Sequence, residues 1–341
     1  MLNSQKPATR CFTARDAIAD ALEGERIAVL GYGHLGQPFA LNLRDSETTS
    51  LVIGNIPDEY AQQAKRAGFA VLPIREAVAC SDVVLILLPD EVIPEIFPTE
   101  IAPHLSPGAA IVFASGYNLA YGLISAPPQV DVLMLAPRMA GENARQRFLD
   151  GGGFYAYISV EQDASGKAWR RLLGLAEKVG VLRAGALELD VRREADLDLL
   201  VEQTLGAALG VAIMNVFALG VEAGIPAEVM VMEMYMDEEM ETVWRSFREQ
   251  GFMRASNAHG PTAMYGGFVR TMQLMNSDLT RRFRETFENI CNGGFARQFQ
   301  SERQMGYPML SQAQAMITDD NPITQAEQHL RRMLEASSQE K

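Results

Sequence analysis

The sequence predicts a doubly wound, parallel α/β sheet of Rossmann type over residues 1–184, an all-α segment over 185–335 and a short tail at 336–341. Three observations predict it. Apolar runs of strand length alternate with helical stretches through the first half. The first of those runs ends in a glycine-spaced turn that opens a helix. From about residue 185 the chain turns into helical patterns punctuated by Gly and Pro, as at Gly224, Pro226, Gly251, Gly260-Pro261 and Gly293-Gly294. With 341 residues, 48% of them hydrophobic and 21% charged, the chain is long enough for two cored units.

The elements follow in order. Residues 26–31, RIAVLG, form an apolar run suited to a buried parallel strand. Gly31, Tyr32, Gly33, His34, Leu35 and Gly36 come at once, and the helical pattern QPFALNLRDS follows. Strand, GxGxxG and helix together are the context that a dinucleotide-binding fingerprint requires. Gly31 permits the tight turn, Gly33 lets the backbone approach a pyrophosphate, and Gly36 lets helix and strand pack closely. The phosphates would meet the helix N-terminus. His34 is either a phosphate contact or a plain surface residue.

The second strand, LVIGN at 51–55, ends where the adenosine ribose is read. That end carries Asn55 and Asp58, with no Arg or Lys before Lys65. Asp58 would repel a 2′-phosphate and could accept a hydrogen bond from a free 2′-hydroxyl, so the reading is NADH, with NADPH as a second cofactor. Asp58 is equally a good N-cap for the next helix, and the two roles can coexist. Further strands are read at 70–74, 82–89, 109–115 and 131–137. Ligands of such sheets gather beyond the C-terminal strand ends. Leu88 and Pro89, Ser115 and Gly116, and Arg138 occupy those ends and are the candidates for the nicotinamide side and the substrate rim.

The second half carries two carboxylate pairs at i,i+4 spacing, Asp198 with Glu202 and Glu233 with Asp237. Residues four apart share a helix face. Two such faces meeting would gather four carboxylates, which only cations could neutralise, and all-oxygen ligands favour Mg²⁺. Residues 204–221 lack charge and are read as a buried helix in preference to a membrane span, because Gly206, Gly210, Gly220 and Asn215 interrupt them. The net charge of −13, without a dense Lys/Arg run, speaks against a nucleic-acid partner. Three dispersed cysteines and the lack of a signal-like start fit the cytoplasm.

The order of these segments resembles the ketol-acid reductoisomerases over nearly the whole chain. IAVLGYGHLGQPFALNLRDS, DVVLILLPDEV, GAAIVFASGYN, VDVLMLAPRMAG, DLDLLVEQ, VEAGIPAEVMVMEMYMDE and NPITQAEQHLRRML resemble family segments in the family's order. The resemblance implies Mg²⁺-dependent, NAD(P)H-linked isomerisation of 2-acetolactate or a related keto acid and reduction of the resulting 2-keto-3-hydroxy acid. It implies a knotted helical domain of the family's short-chain class. It places Asp198, Glu202, Glu233 and Asp237 on the metal ligands, the second pair coming from a partner subunit, hence an obligate homodimer with composite sites. Asp198, Glu202 and Glu233, with Ser115 and Arg138, are the catalytic candidates.

The chain departs from the family pattern at the rim. Ser115 stands in place of a His, Arg138 in place of a Lys, and Asp237 in place of a Glu. The family's serine near the substrate has no clear match, and His259 and Gly260 fall near its place as substrate candidates. Arginine keeps the charge as a planar fork, and serine removes a group that titrates near neutrality. Two alternatives therefore stay open. One is a divergent enzyme with another substrate, akin to a β-hydroxyacid dehydrogenase or an imine reductase. The other is a non-catalytic NAD(P)-sensing protein.

Overall fold

A computed structural model describes residues 9–48, 50–255, 260–275 and 277–339. The chain divides into two compact units, Met1–Leu197 and Asp198–Lys341.

The first unit holds one nine-stranded sheet. Its strands are β1 (Cys11–Phe12), β2 (Ile27–Leu30), β3 (Leu51–Gly54), β4 (Ala70–Leu72), β5 (Val83–Ile86), β6 (Ala110–Phe113), β7 (Asp131–Pro137), β8 (Ala156–Gln162) and β9 (Ala186–Glu188), in the spatial order β1-β9-β8-β7-β6-β5-β2-β3-β4. From β4 through β7 every pairing is parallel. β8 then runs antiparallel to β7 and parallel to β9, and β1 closes the edge antiparallel to β9. The sheet is thus mixed: a parallel doubly wound core is extended by three strands that the apolar runs did not announce.

Alternation along β2 explains why the sheet is buried on both faces. Ile27 and Val29 join a cluster with Phe39, Leu43 and Leu172 on one side. Ala28 and Leu30 join one with Val78, Ile86 and Phe97 on the other. The chain order reverses at β2, whose neighbours are β3 on one side and β5 on the other. The C-terminal ends of β2 and β5 therefore flank the topological switch point, where ligands of open α/β sheets bind.

The second unit is helical. Its small core joins Phe217, Met230 and Val231 to Ala326 and Leu330 of the C-terminal helix Pro322–Gln339. The helical run Val191–Glu222 is long and apolar enough to cross a membrane, and only 11% of its most apolar stretch is buried. The expectation of a buried helix at 204–221 therefore fails for a single chain. Phe217 is buried, but Leu209, Val216 and Leu219 are 43%, 50% and 65% exposed. The apolar composition requires cover, and one chain does not supply it.

Candidate cofactor and metal site

Strand β2 delivers the chain into the glycine turn with φ of +87° at Gly31, the left-handed region that glycine enters without penalty. A Cβ there would lie 2.8 Å from the Leu87 carbonyl oxygen and 3.0 Å from Leu88 at the end of β5. The switch point is therefore closed tightly at its base. A Cβ at Gly36 would strike the Gly31 carbonyl, 2.8 Å from its carbon and closer still to its oxygen. Gly33 is different, because a Cβ there would meet nothing within 4 Å. The backbone is thus bare where a pyrophosphate would pass. Helix Gly36–Asp45 begins at this turn without a side-chain cap; its Gln37 N–H donates to the Gly33 carbonyl at 3.1 Å, and the helix start is of the kind that meets a phosphate. Tyr32 points inward and is buried, and burial pushes its hydroxyl up. His34 is exposed on the turn, and Leu35 is half-buried.

At the end of β3, Asn55 ties this turn to Asp58. Its amide oxygen accepts the Tyr32 N–H at 3.3 Å, and its nitrogen donates to Asp58 Oδ1 at 2.8 Å. The same Asp58 oxygen accepts the Ala61 N–H at 2.9 Å and caps helix Glu59–Arg66. Both bonds fall on Oδ1, so capping leaves Oδ2 for other use.

The ends of β5, β6 and β7 build the rim. Pro89 is exposed and Leu88 half-buried behind the turn. Arg138 donates through Nη2 to Glu194 Oε1 at 2.8 Å and lies 5.0 Å over the Tyr157 ring. Glu194, only 1% exposed, also accepts the Gly116 N–H through Oε2 at 2.7 Å. A side chain on Gly116 would collide with the Val191 backbone, so this bond depends on glycine. Asn118 donates to Asp90 at 2.9 Å, and the Ser115 hydroxyl lies near enough to that carboxylate to oppose its rise. Burial, reinforced by Glu194 and Glu91, pushes the Asp90 carboxyl up to about 6 despite those two donors.

Glu194 is a functional residue that sequence reasoning missed. The available signal was spacing: Glu194, Asp198 and Glu202 step by four along one helical run. Asp90 and Asn118 lie beside Leu88, Pro89, Ser115 and Gly116 at the strand ends that the sequence marks.

In the second unit Asp198 is half-buried, and Glu202, Glu233 and Asp237 are exposed. Each pair involves a π turn, Val201–Gly206 for the first and Met232–Met236 for the second. Such turns inside α-helices are frequent at functional sites. Asp237 accepts the Glu239 N–H at 3.0 Å. Among the described residues no group of three or more His, Cys, Asp or Glu is set to hold a metal ion. One chain thus leaves the two acid pairs apart. Gly260 starts the helix Pro261–Leu274, and His259 lies outside the described residues.

A glycine turn of this form at the switch point of this sheet, followed by a helical unit, defines an NAD(P)-dependent oxidoreductase. Residues 21–185 match the acetohydroxy acid isomeroreductase NADPH-binding domain, and residues 191–336 match the ketol-acid reductoisomerase C-terminal domain. A protein of Caldivirga maquilingensis named ketol-acid reductoisomerase (NADP(+)) is 36% identical over 305 residues, 89% of this chain and 92% of that protein. One of Metallosphaera sedula named ketol-acid reductoisomerase (NAD(P)(+)) is 36% identical over 303 residues, 89% and 90% of the two chains. The solved structure of an NADH-preferring ketol-acid reductoisomerase from an uncultured archaeon superposes with a TM-score of 0.88 at 31% identity, covering 95% of this chain and 98% of that one. The chain belongs to the ketol-acid reductoisomerase family.

Proposed function

We propose that this enzyme reduces a small 2-keto-3-hydroxy acid, and isomerises 2-acetolactate or a close relative to form it, with NADH as preferred cofactor and Mg²⁺ as the metal. The observation that carries this reading is that both family domains occur in one chain; it also retains the four acids, Asp198, Glu202, Glu233 and Asp237, that the family resemblance assigns to the metal.

The residues present fit both groups. Gly33 and the uncapped helix start would cradle the pyrophosphate, and Asp58 Oδ2 would accept from a ribose hydroxyl. The all-carboxylate donor set suits a hard divalent cation. When bound, the dinucleotide supplies a hydride, and the metal supplies Lewis-acid polarisation of the keto and hydroxyl oxygens. The protein's own part is to hold and orient. Glu194 fixes Arg138 and the Gly116 amide at the rim. Asp58 disfavours a 2′-phosphate by charge. That agrees with the named NADH preference of the structural relative, while the M. sedula relative is named for both cofactors.

The assembly is a homodimer whose partner covers the exposed apolar face of Ala207–Glu222 and completes the acid set. A dimer also accounts for the apolar run without a membrane, in keeping with a cytoplasmic enzyme. A second reading is favoured by Ser115 and Arg138: the enzyme reduces but takes a different keto acid.

The test is oxidation of NADH and of NADPH with 2-acetolactate and with 3-hydroxy-3-methyl-2-ketobutyrate, each with Mg²⁺ or EDTA. Mg²⁺-dependent turnover of both substrates is expected. Turnover of the hydroxy-keto acid alone would mean that migration is lost. Turnover unaffected by EDTA would refute the metal role.

A further inference from the structure

The rim contains a carboxyl that the functional reading leaves without a task. Asp90 follows the end of β5 and faces two groups from the turn after β6: the Ser115 hydroxyl and the Asn118 side-chain amide, the latter 2.9 Å from Oδ1 and 3.1 Å from the Asp90 carbonyl. Glu91 lies beside it in the chain. Glu194 faces it from helix Val191–Leu200 and holds Arg138 at the end of β7. Tyr117 faces it as well, and burial and Asp90 together push that phenol up to about 12. Two buried polar atoms here have no hydrogen-bond partner among the described residues: the Tyr117 hydroxyl, on a residue 8% exposed, and Asn118 Oδ1, on one 1% exposed. Ser115 itself is half-exposed at the strand end, where ligands of such sheets lie.

On the functional reading above, we infer that Asp90 and Ser115 form a proton relay for the carbonyl that is reduced. Asp90 stores the proton and Ser115 passes it on. The carbonyl carbon takes a hydride, which oxidises the dinucleotide, and its oxygen takes the Ser115 hydroxyl hydrogen. Ser115 Oγ regains a hydrogen from the Asp90 carboxyl. Asp90 is left as a carboxylate, hydrogen-bonded by Asn118, and takes its next proton from water. One hydride and one proton are consumed for each C=O that becomes CH–OH. The relay places a group that titrates near neutrality one atom behind Ser115.

The geometry gives the store its properties. Glu194 and Glu91 are like charges near Asp90, and burial withdraws water from it, so each favours the protonated form. A general acid works best when its proton is both held and releasable near the working pH.

The experiment measures single-turnover reduction of 3-hydroxy-3-methyl-2-ketobutyrate by NADH with Mg²⁺, from pH 5 to 9. It uses the full chain and the variants Asp90→Asn, Asp90→Glu and Ser115→Ala. NADH affinity and carboxyl infrared spectra are recorded in parallel. The wild-type rate is expected to fall as pH rises through about 6. Asp90→Asn should lose that fall and about 100-fold in rate, with NADH affinity unchanged. Ser115→Ala should behave alike, and Asp90→Glu should restore the pH dependence. The infrared difference between wild type and Asp90→Asn should show a protonated carboxyl that disappears over the same pH range. A pH-dependent fall that survives in Asp90→Asn, a full rate in Ser115→Ala, or no such carboxyl band would each overturn the relay. No turnover by the wild type would overturn the functional reading itself, and turnover without an Asp90-dependent limb overturns the relay alone.

Discussion

Gly33 and Gly36 sit three residues apart in one turn, yet alanine should do opposite things at them. At Gly36 the new Cβ would lie 2.8 Å from the Gly31 carbonyl carbon. Carbon atoms prefer about 3.5–4.0 Å, so the helix or the turn must shift by roughly 1 Å. The turn cannot yield cheaply, because the Gly31 N–H is bonded to the Gly54 carbonyl at 2.9 Å. Overpacking of this kind costs about 1–3 kcal/mol, and loss of the backbone bond adds about 1 kcal/mol. Gly36→Ala should therefore lower unfolding stability by about 3 kcal/mol. At Gly33 a Cβ meets nothing within 4 Å, and the residue is not among the glycines with positive φ. Gly33→Ala should leave stability within about 0.5 kcal/mol. Its methyl group would instead occupy the approach to the pyrophosphate, with a loss of about 10- to 100-fold in NADH affinity, or about 1.4–2.8 kcal/mol. Urea unfolding and fluorescence titration with NADH measure the two quantities. Wild-type NADH affinity in Gly33→Ala would refute the placement of the phosphates, and wild-type stability in Gly36→Ala would refute the packing argument.

Asp58→Ser keeps an N-cap while removing the charge, so the preference for NADH over NADPH should narrow by about tenfold in steady-state KM values; an unchanged ratio would show that Asp58 does not set it. Asp198→Asn should abolish Mg²⁺-dependent turnover while leaving NADH binding intact, and retained turnover would sink the metal assignment. Leu209→Glu with Val216→Glu, two exposed apolar positions seven residues apart on Ala207–Glu222, should convert a dimer into monomers by sedimentation; an unaltered mass would mean another surface is used. Asp90 is raised in the folded protein, so the stability linked to its proton is complete below the unfolded carboxyl pKa and lost as pH rises through about 6. Asp90→Asn should accordingly gain stability over wild type at pH 8 and lose that advantage at pH 4, as thermal melts would reveal.

Much of this is legible in the sequence, for reasons that particular residues make plain. RIAVLG with Gly31 and Gly36 imposes a strand, a turn and a helix, because a side chain at either glycine would meet backbone at under 3 Å. The strand Ala156–Gln162 went unread because AYISVEQ is neither a continuous apolar run nor a clean alternation: Ser159 is buried beside Ile158. Its register against β7 also shifts, between Val132 and Leu133. β1, two residues long, carries no period at all. The helix at 204–221 was misread because composition states that water must be excluded, not which chain excludes it. Glu194 was invisible because its meaning comes from Arg138, 56 residues earlier, and from the Gly116 amide. The π turns at Val201–Gly206 and Met232–Met236 break the 3.6-residue period on which the spacing argument rests.

The charge balance of the rim bears on why the acid pairs matter. Within the first unit, Asp90, Glu91 and Glu194 lie by the strand ends, and Arg138 bonds Glu194. Arg138 is committed to Glu194, which is 1% exposed. Removing one partner of a buried ion pair costs about 3–5 kcal/mol, so a substrate carboxylate gains little by competing for that guanidinium. A keto acid and a pyrophosphate would add further negative charge to these strand ends. On the proposed function, the positive charge that such a substrate needs would come as metal ions held by the all-carboxylate set. The substitution of Arg for the smaller Lys then acquires a physical meaning. Its fork reaches Glu194 while its plane stacks on Tyr157, so it braces the ends of β6 and β7 against helix Val191–Leu200.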